Sequence, residues 1–421
     1  MMTQPRSISA WIPASAGMTK IIGIGLLLTS VSVGCILPRL AAQKTTVAKT
    51  IATAKQTTLS PEGFQLAVPG YRYQFPADYA AHPAFKTEWW YVTGHLQAPK
   101  SKQWYGYELT FFRLGQTPQA KRKPAAKQSP WAVDDIYMTH FALTDESAAA
   151  PLSGRQDQAF RHWVKFNRPA FGRAGSDTKA LQVWNEGWQL KHKPDGTFAL
   201  TASSDDVALT LNLAPKKPPA IHGVPGQGIS QKAECYGCAS HYVSLTRLNT
   251  TGTLTVNGQT QAVTGQSWFD QEFGSNQLTS EQTGWNWMSL QLDNGWEAML
   301  YVLRQKDGGI DPNSSGSLID PNGNVRHLKA GDFTMTPTAW WTSAKTSAKY
   351  PVAWQVSLKP VQANFTVKAT VPQQELNSPG GKGVSYWEGR SVVSGRWGKS
   401  AVGGMGYVEL TGYDKAFRQR L

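Results

Sequence analysis

The stretch VWNEGWQLKHK-PDG-TFALTAS-S-DD-VALTLNL, residues 183–213, leaves few choices of fold. Apolar and polar residues alternate within each segment, and Asp-Gly or Asp-Asp stands between segments. A period of two is that of a strand with one buried face, and such turn residues suit tight hairpins. The reading is three strands joined by tight turns. The habit recurs along the chain. EWWYVTGHL (88–96), WYGYELTFFRL (104–114) and DDIYMTHFALTD (134–145) are rich in aromatic and β-branched residues. WNWMSLQL-DNG-WEAMLYVLR (285–304) and SGSLID-PNG-NVRHL (315–328) read as hairpins, and VAWQVSLKP, NFTVKATV and GYVELTGY follow. Only DKAFRQRL, at 414–421, has the pattern of a short helix. Many short antiparallel strands at regular spacing predict an all-β chain of sandwiches or barrels.

A length of 421 residues exceeds one ordinary core and predicts two domains. The boundary is expected near residue 250, at the turn Thr251-Gly252, giving domains over 66–250 and 251–421. Ahead of them, MTKIIGIGLLLTSVSVGC from Met18 has one lysine and then an apolar run, too short to span a bilayer and suited to an export signal. Residues 1–42 are therefore expected to be a signal or leader segment absent from the mature protein, and 43–65, rich in Thr, Ala and Lys, a linker. The expected location is periplasmic or secreted. Cleavage after Ala42 competes with lipidation at Cys35, which would anchor the chain to a membrane. Losing residues 1–42 removes three cations and no acid, which takes the net charge from +14 to +11.

That charge does not imply nucleic acid. The basic residues are scattered, and the densest cluster, KRKPAAK (121–127), reads as a loop. An exported basic surface meets anionic lipid, a membrane-surface association, or serves solubility. Cys235 and Cys238 lie in ECYGC without the further ligand spacing zinc requires, so a local disulfide is expected in an oxidising compartment. His-Glu-x-x-His, Gly-x-Ser-x-Gly and a phosphate-binding Gly-Lys-Ser/Thr loop are absent, and no cofactor or metal is expected.

The candidate chemistry lies in GQSWFDQEFGSN, 265–276. On a strand, Trp268, Asp270 and Glu272 share one face, and Phe269, Gln271 and Phe273 the other. The tryptophan argues that this face is not fully wet. In SHYVSLTRL (240–248), His241 and Val243 fall on one face, Tyr242 and Ser244 on the other. Glu88 stands beside Trp89 and Trp90, either as an acid in an apolar pocket or as the structural partner of an arginine such as Arg113.

HPAFKTEWWYVTGHL, FFR, THFALTD, HYVSLTRL, GQSWFDQEFGSN, GWNWMSLQL, YWEG (386–389) and GYVELTGY together resemble the carotenoid 1,2-hydratase (hydroxyneurosporene synthase) family, and more closely its AttH-type relatives, from about residue 66 to the C-terminus. The resemblance implies two consecutive lipocalin-like barrels, with a site at or between them. It implies that Asp270 protonates an alkene, with His241 on the preceding strand and Glu272 beside it, and that water captures the carbocation. Burial against Trp268 and the like charge of Glu272 would keep Asp270 protonated. Aromatic faces stabilise a cation, and the expected ligand wall is Trp268, Glu88, Trp89, Trp90, Tyr242, Trp285 and Trp287. This chain has Val243 where the hydratases carry Trp, and Gln271 between the acids where AttH-type members often carry His. Three functions stand side by side: acid catalysis on an isoprenoid- or lipid-like substrate, a non-catalytic carrier of a hydrophobic small molecule, and a glycan-directed hydrolase suggested by tryptophans and paired acids.

Overall fold

The computed structural model describes residues 57–417 apart from 125–128, 130, 277 and 378–384. The expected leader, most of the expected linker and Cys35 lie outside the described residues. Lys55–Leu421 form one compact unit.

Within it, strands form two antiparallel sheets. The first contains β1 (Thr87–Gln97), β2 (Trp104–Gly115), β3 (Asp135–Asp145), β4 (Phe160–Asn167), β5 (Ala174–Ser176), β6 (Gln182–Asn185), β7 (Trp188–His192), β8 (Phe198–Ser204), β9 (Val207–Pro215), β10 (Ala220–Ile221), β11 (Ser230–Gln231), β12 (Ala239–Val256) and β13 (Gln259–Asn276). Its order is β4-β3-β2-β1-β13-β12-β9-β8-β7-β6-β5. The path curls until its ends meet: Asn185 on β6 bonds Asn167 on β4 at 2.7 Å and Thr139 on β3 at 3.0 Å. The second sheet contains β14 (Gln282–Leu292), β15 (Glu297–Gln305), β16 (Ser315–Ile319), β17 (Val325–Lys329), β18 (Phe333–Thr342), β19 (Lys349–Leu358), β20 (Ala363–Ala369), β21 (Glu375–Leu376), β22 (Tyr386–Trp397) and β23 (Ser400–Thr411). Its order is β17-β16-β15-β14-β23-β22-β20-β19-β18. The all-β, two-barrel, lipocalin-like architecture expected from the sequence is the one observed.

Alternation decides what each face does. In the first sheet Trp90, Val92, Phe141, Trp188 and Phe269 fill the interior. In the second Met288, Leu290, Trp354, Trp387 and Val408 do so. The intervening residues Tyr91, Tyr242, Trp268, Trp287, Tyr301 and Tyr407 point outward and form a third core where the sheets pack together. The strands at this junction are therefore buried on both faces, which is why EWWYV and WNWM read as continuous apolar runs. Polar ties also cross the junction. Glu297 on β15, with no exposed surface, takes Arg247 Nε at 2.5 Å and Lys217 Nζ at 2.6 Å. Gln291 donates to the carbonyls of Thr246 and Ser267. At Gly265 a side chain has no room, because a Cβ would stand 1.8 Å from the carbonyl oxygen of His95.

Four sequence expectations need correction. The boundary near 250 falls inside β12, which continues to Val256 and turns at Asn257-Gly258 into β13. Both turn residues have positive φ, as a tight hairpin turn requires. The first sheet ends at Asn276 instead. The segment 183–193 is two strands, β6 and β7, because Glu186 at φ 55° reverses the chain between them. Residues 414–417 form no helix. Finally, the folded unit starts earlier than 66: Phe64 and Ser60 are buried, and Leu59 pairs with Gln65.

Candidate active site

Where the outward faces meet, an apolar cavity of about 140 Å³ opens between the sheets. Trp89 and Tyr91 of β1, Tyr242 of β12 and Asp270 and Glu272 of β13 line one side. Trp285 and Trp287 of β14, Glu388 of β22 and Glu409 of β23 line the other. Trp89, Phe112, Leu278, Trp285 and Phe417 are half-buried and form an aromatic and apolar rim, whereas the acids lie in the interior.

Strand parity places the acids as expected: Asp270 and Glu272 face the cavity. Asp270 is 3 % exposed and receives three donors. Tyr242 donates its hydroxyl to Oδ2 at 2.5 Å, Trp268 donates Nε1–H to Oδ1 at 2.6 Å, and Ser244 donates to Oδ1. Trp287 in turn donates to the Tyr242 hydroxyl at 2.9 Å. Burial is the largest influence and pushes the carboxyl up to about 7; the hydrogen bonds from Ser244, Tyr242 and Trp268 pull against it, and the nearby Glu272 charge adds to the rise. Asp270 is thus poised to give and take a proton near neutrality.

Glu272 differs because it has a counter-ion. Lys232 Nζ lies 3.1 Å away, itself buried and set over the Tyr301 ring at 4.2 Å, and Ser240 donates to the carboxylate. On the opposite wall, Glu388 and Glu409 are directly paired across β22 and β23. Tyr91, the strand neighbour of Asp270, reaches across the junction and donates to Glu388 at 3.0 Å. Trp285 donates to Glu409 at 3.1 Å. Burial pushes Glu409 up to about 8, with Asp270 and Glu272 adding to the rise. Burial, then Glu409 and Glu108, hold Glu388 well above the ordinary carboxyl range.

The structure brings together most of the expected site residues and separates three. Trp89, Tyr242, Trp285 and Trp287 line the cavity, and Trp268 backs it by bonding Asp270. His241 points the other way. Ser244 is the register partner of Asp270, so Tyr242 and Ser244 share its face and His241 cannot. Its Nδ1 bonds the Gly228 carbonyl at 2.7 Å among Tyr71, Phe85 and Phe273. Trp90 is a core residue of the first barrel, with Nε1 donating to the Tyr79 carbonyl. Glu88 is structural: it bonds His82 Nδ1 at 2.8 Å, Arg113 Nε at 3.3 Å and Gln271 Nε2 at 3.1 Å. Burial acts to raise Glu88, but His82 and Arg113 outweigh it and hold the carboxyl below its usual range. Gln271, between the two acids, therefore serves the opposite face. Cys235 and Cys238 are bonded to each other, away from the cavity lining. Among the described residues, no group of three or more His, Cys, Asp or Glu side chains is placed to hold a metal ion.

Sequence reasoning missed Glu388 and Glu409, although YWEG and GYVELTGY were noted, because nothing local says that two strands so far along the chain face Asp270.

The sequence matches the family model of AttH-like proteins over residues 66–413. The chain belongs to the AttH-like family. The crystal structure of a protein of Nitrosomonas europaea assigned as an AttH is 30% identical, with a TM-score of 0.71, covering 83% of this chain and 100% of that one. The crystal structure of kievitone hydratase from Nectria haematococca shares the fold at 14% identity and a TM-score of 0.61, covering 86% of this chain and 99% of that one. No curated protein matches the chain.

Proposed function

We propose that this AttH-like protein is an exported acid catalyst that adds water across, or shifts, a carbon–carbon double bond of a small apolar substrate held between its two sheets. The observation that carries the reading is Asp270, a carboxyl buried against an apolar aromatic cavity that it lines, with its pKa pushed up to about 7 by that burial. The shared fold with a protein named as a hydratase supports it. In the reaction, the alkene π pair takes the Asp270 proton at one carbon, leaving a carbocation at the other. The faces of Trp287, Trp89 and Tyr242 stabilise that cation. A water oxygen then bonds to it, and the water's surplus proton returns to the Asp270 carboxylate. Atoms balance as alkene plus water giving alcohol, and the acid is regenerated. In an isomerisation the carboxylate removes a neighbouring C–H proton instead. Tyr242, Ser244 and Trp268 hold the carboxyl in place throughout.

A carrier of the barrel-interior type is less well supported, because both interiors are filled by side chains. The decisive experiment incubates the protein with a panel of small branched alkenes in H₂¹⁸O and seeks labelled alcohol by mass spectrometry. Labelled product from wild type, reduced about 10²–10⁴-fold in Asp270→Asn, is expected. Undiminished turnover in Asp270→Asn would sink the mechanism, and ligand retention without turnover in wild type would make the protein a carrier.

A further inference from the structure

The wall facing Asp270 has a chemistry that proton donation to an alkene does not use. His140 on β3 lines the cavity, 2 % exposed, and its Nε2 has no hydrogen-bond partner. Its Nδ1 lies 2.5 Å from the Tyr386 hydroxyl. Glu388 and Glu409 line the same cavity as a directly opposed pair. Each carboxyl accepts one neutral donor, Glu388 from Tyr91 and Glu409 from Trp285, and among the described residues neither has a cation beside it; the unpartnered Nε2 of His140 costs about 1–3 kcal/mol in an apolar surround.

Among the described residues, the cations lining the cavity, Lys232 and Arg113, do not serve these carboxyls. Lys232 is taken by Glu272 at 3.1 Å. Arg113 is taken by Glu88 at 3.3 Å and Asp135 at 2.9 Å. Two uncompensated carboxylates facing each other in a buried site favour their protonated forms, and a protonated carboxyl is an O–H donor. His140 is neutral as well, its pKa lowered to about 3 by burial and then by His162. If the Tyr386 hydroxyl donates to Nδ1, the hydrogen of the neutral ring sits on Nε2. Among the described residues, the wall then presents several donors and no cation.

We propose that the substrate is an apolar molecule carrying one oxygen function, a hydroxyl or carbonyl, and that His140, Glu388 and Glu409 seat that oxygen while Asp270 faces the hydrocarbon part. This rests on the cavity being the substrate site. Its volume of about 140 Å³ is close to the roughly 150 Å³ that accommodates a benzene ring. The buried part of the substrate is thus one ring or a short branched chain, with any longer tail passing the aromatic rim.

Three matched probes test the proposal by ligand-observed NMR titration: 3-methylbut-2-en-1-ol, the hydrocarbon 2-methylbut-2-ene and 3-methylbut-2-en-1-amine. The alcohol is expected to bind wild type about 3- to 10-fold more tightly than the hydrocarbon, the worth of one buried hydrogen bond. His140→Phe and Glu409→Leu should erase that preference, read as the ratio of alcohol to hydrocarbon affinity within each variant. Glu409→Gln should keep the preference, since an amide N–H also donates, and it covers the event that the Leu variant does not fold. Equal binding of alcohol and hydrocarbon by wild type overturns the proposal. So does tighter binding of the amine that Glu409→Gln abolishes, which would make the carboxyls an ammonium site. Because these are binding measurements, an alcohol preference without turnover would sink the catalytic reading and leave this one, and turnover without preference would do the reverse.

Discussion

Replacing Asp270 by Asn should change how stability depends on pH, and the size of the change follows from the site. The carboxyl titrates at about 7 in the folded protein and at about 3.9 in the unfolded chain. Below pH 3.9 both states hold the proton, and the burial of the neutral acid contributes in full. Between 3.9 and 7 the folded state holds a proton that the unfolded state has released. Stability therefore falls as pH rises, by about 1.4 kcal/mol per pH unit for this group, and levels off above 7. Over three units the loss is roughly 4 kcal/mol. Asn keeps the shape and accepts from Trp268 and Ser244, but its amide must donate to Tyr242, a rearrangement costing about 1 kcal/mol. The variant should thus be slightly less stable than wild type at pH 4 and more stable by roughly 2–3 kcal/mol at pH 8. Urea unfolding of both proteins at pH 4, 6 and 8, followed by tryptophan fluorescence, measures this. Glu388 and Glu409 titrate in both proteins, so their effect largely cancels in the difference. Parallel pH profiles for the two proteins would refute the claim that Asp270 is buried with its proton.

Three further outcomes are expected. Glu272→Gln leaves Lys232 buried without its counter-ion and should cost about 3–5 kcal/mol, recovered in large part by adding Lys232→Met; equal stability of single and double variants by urea unfolding would contradict the pairing. His241→Ala should lower stability by about 1–3 kcal/mol, because the Gly228 carbonyl loses its donor, with product formation per folded molecule unchanged; a loss of turnover beyond the loss of folded protein would restore His241 to the site. Gly265→Ala sets a Cβ against the His95 carbonyl and should cost more than about 3 kcal/mol, whereas Gly258→Ala, at a turn with open space but positive φ, should cost about 1 kcal/mol; thermal unfolding of the pair ranks them.

What the sequence determined was local and periodic. Alternation over 268–272 is enough to set Trp268, Asp270 and Glu272 on one face, because side-chain direction on a strand has a period of two. The turn residues of 293–295 likewise specify their own hairpin. The same rule already set His241 and Tyr242 on opposite faces; knowing which one meets Asp270 requires the register of β12 against β13, a relation between residues 26 apart. The boundary escapes local reading for a related reason: Asn257-Gly258 is itself a strong hairpin signal, but which neighbours a hairpin joins is settled by pairing β13 with β1, more than 160 residues earlier. The tertiary structure alone decided that Tyr91 meets Glu388, 297 residues apart, and that Glu409 shares a cavity with Asp270. It decided too that Trp89 faces that cavity while Trp90, one residue on, fills a barrel. Each strand shows two faces, and only the packing of one curled sheet against the other fixes which face loses its water, which acids lose their counter-ions, and therefore which carboxyls keep their protons.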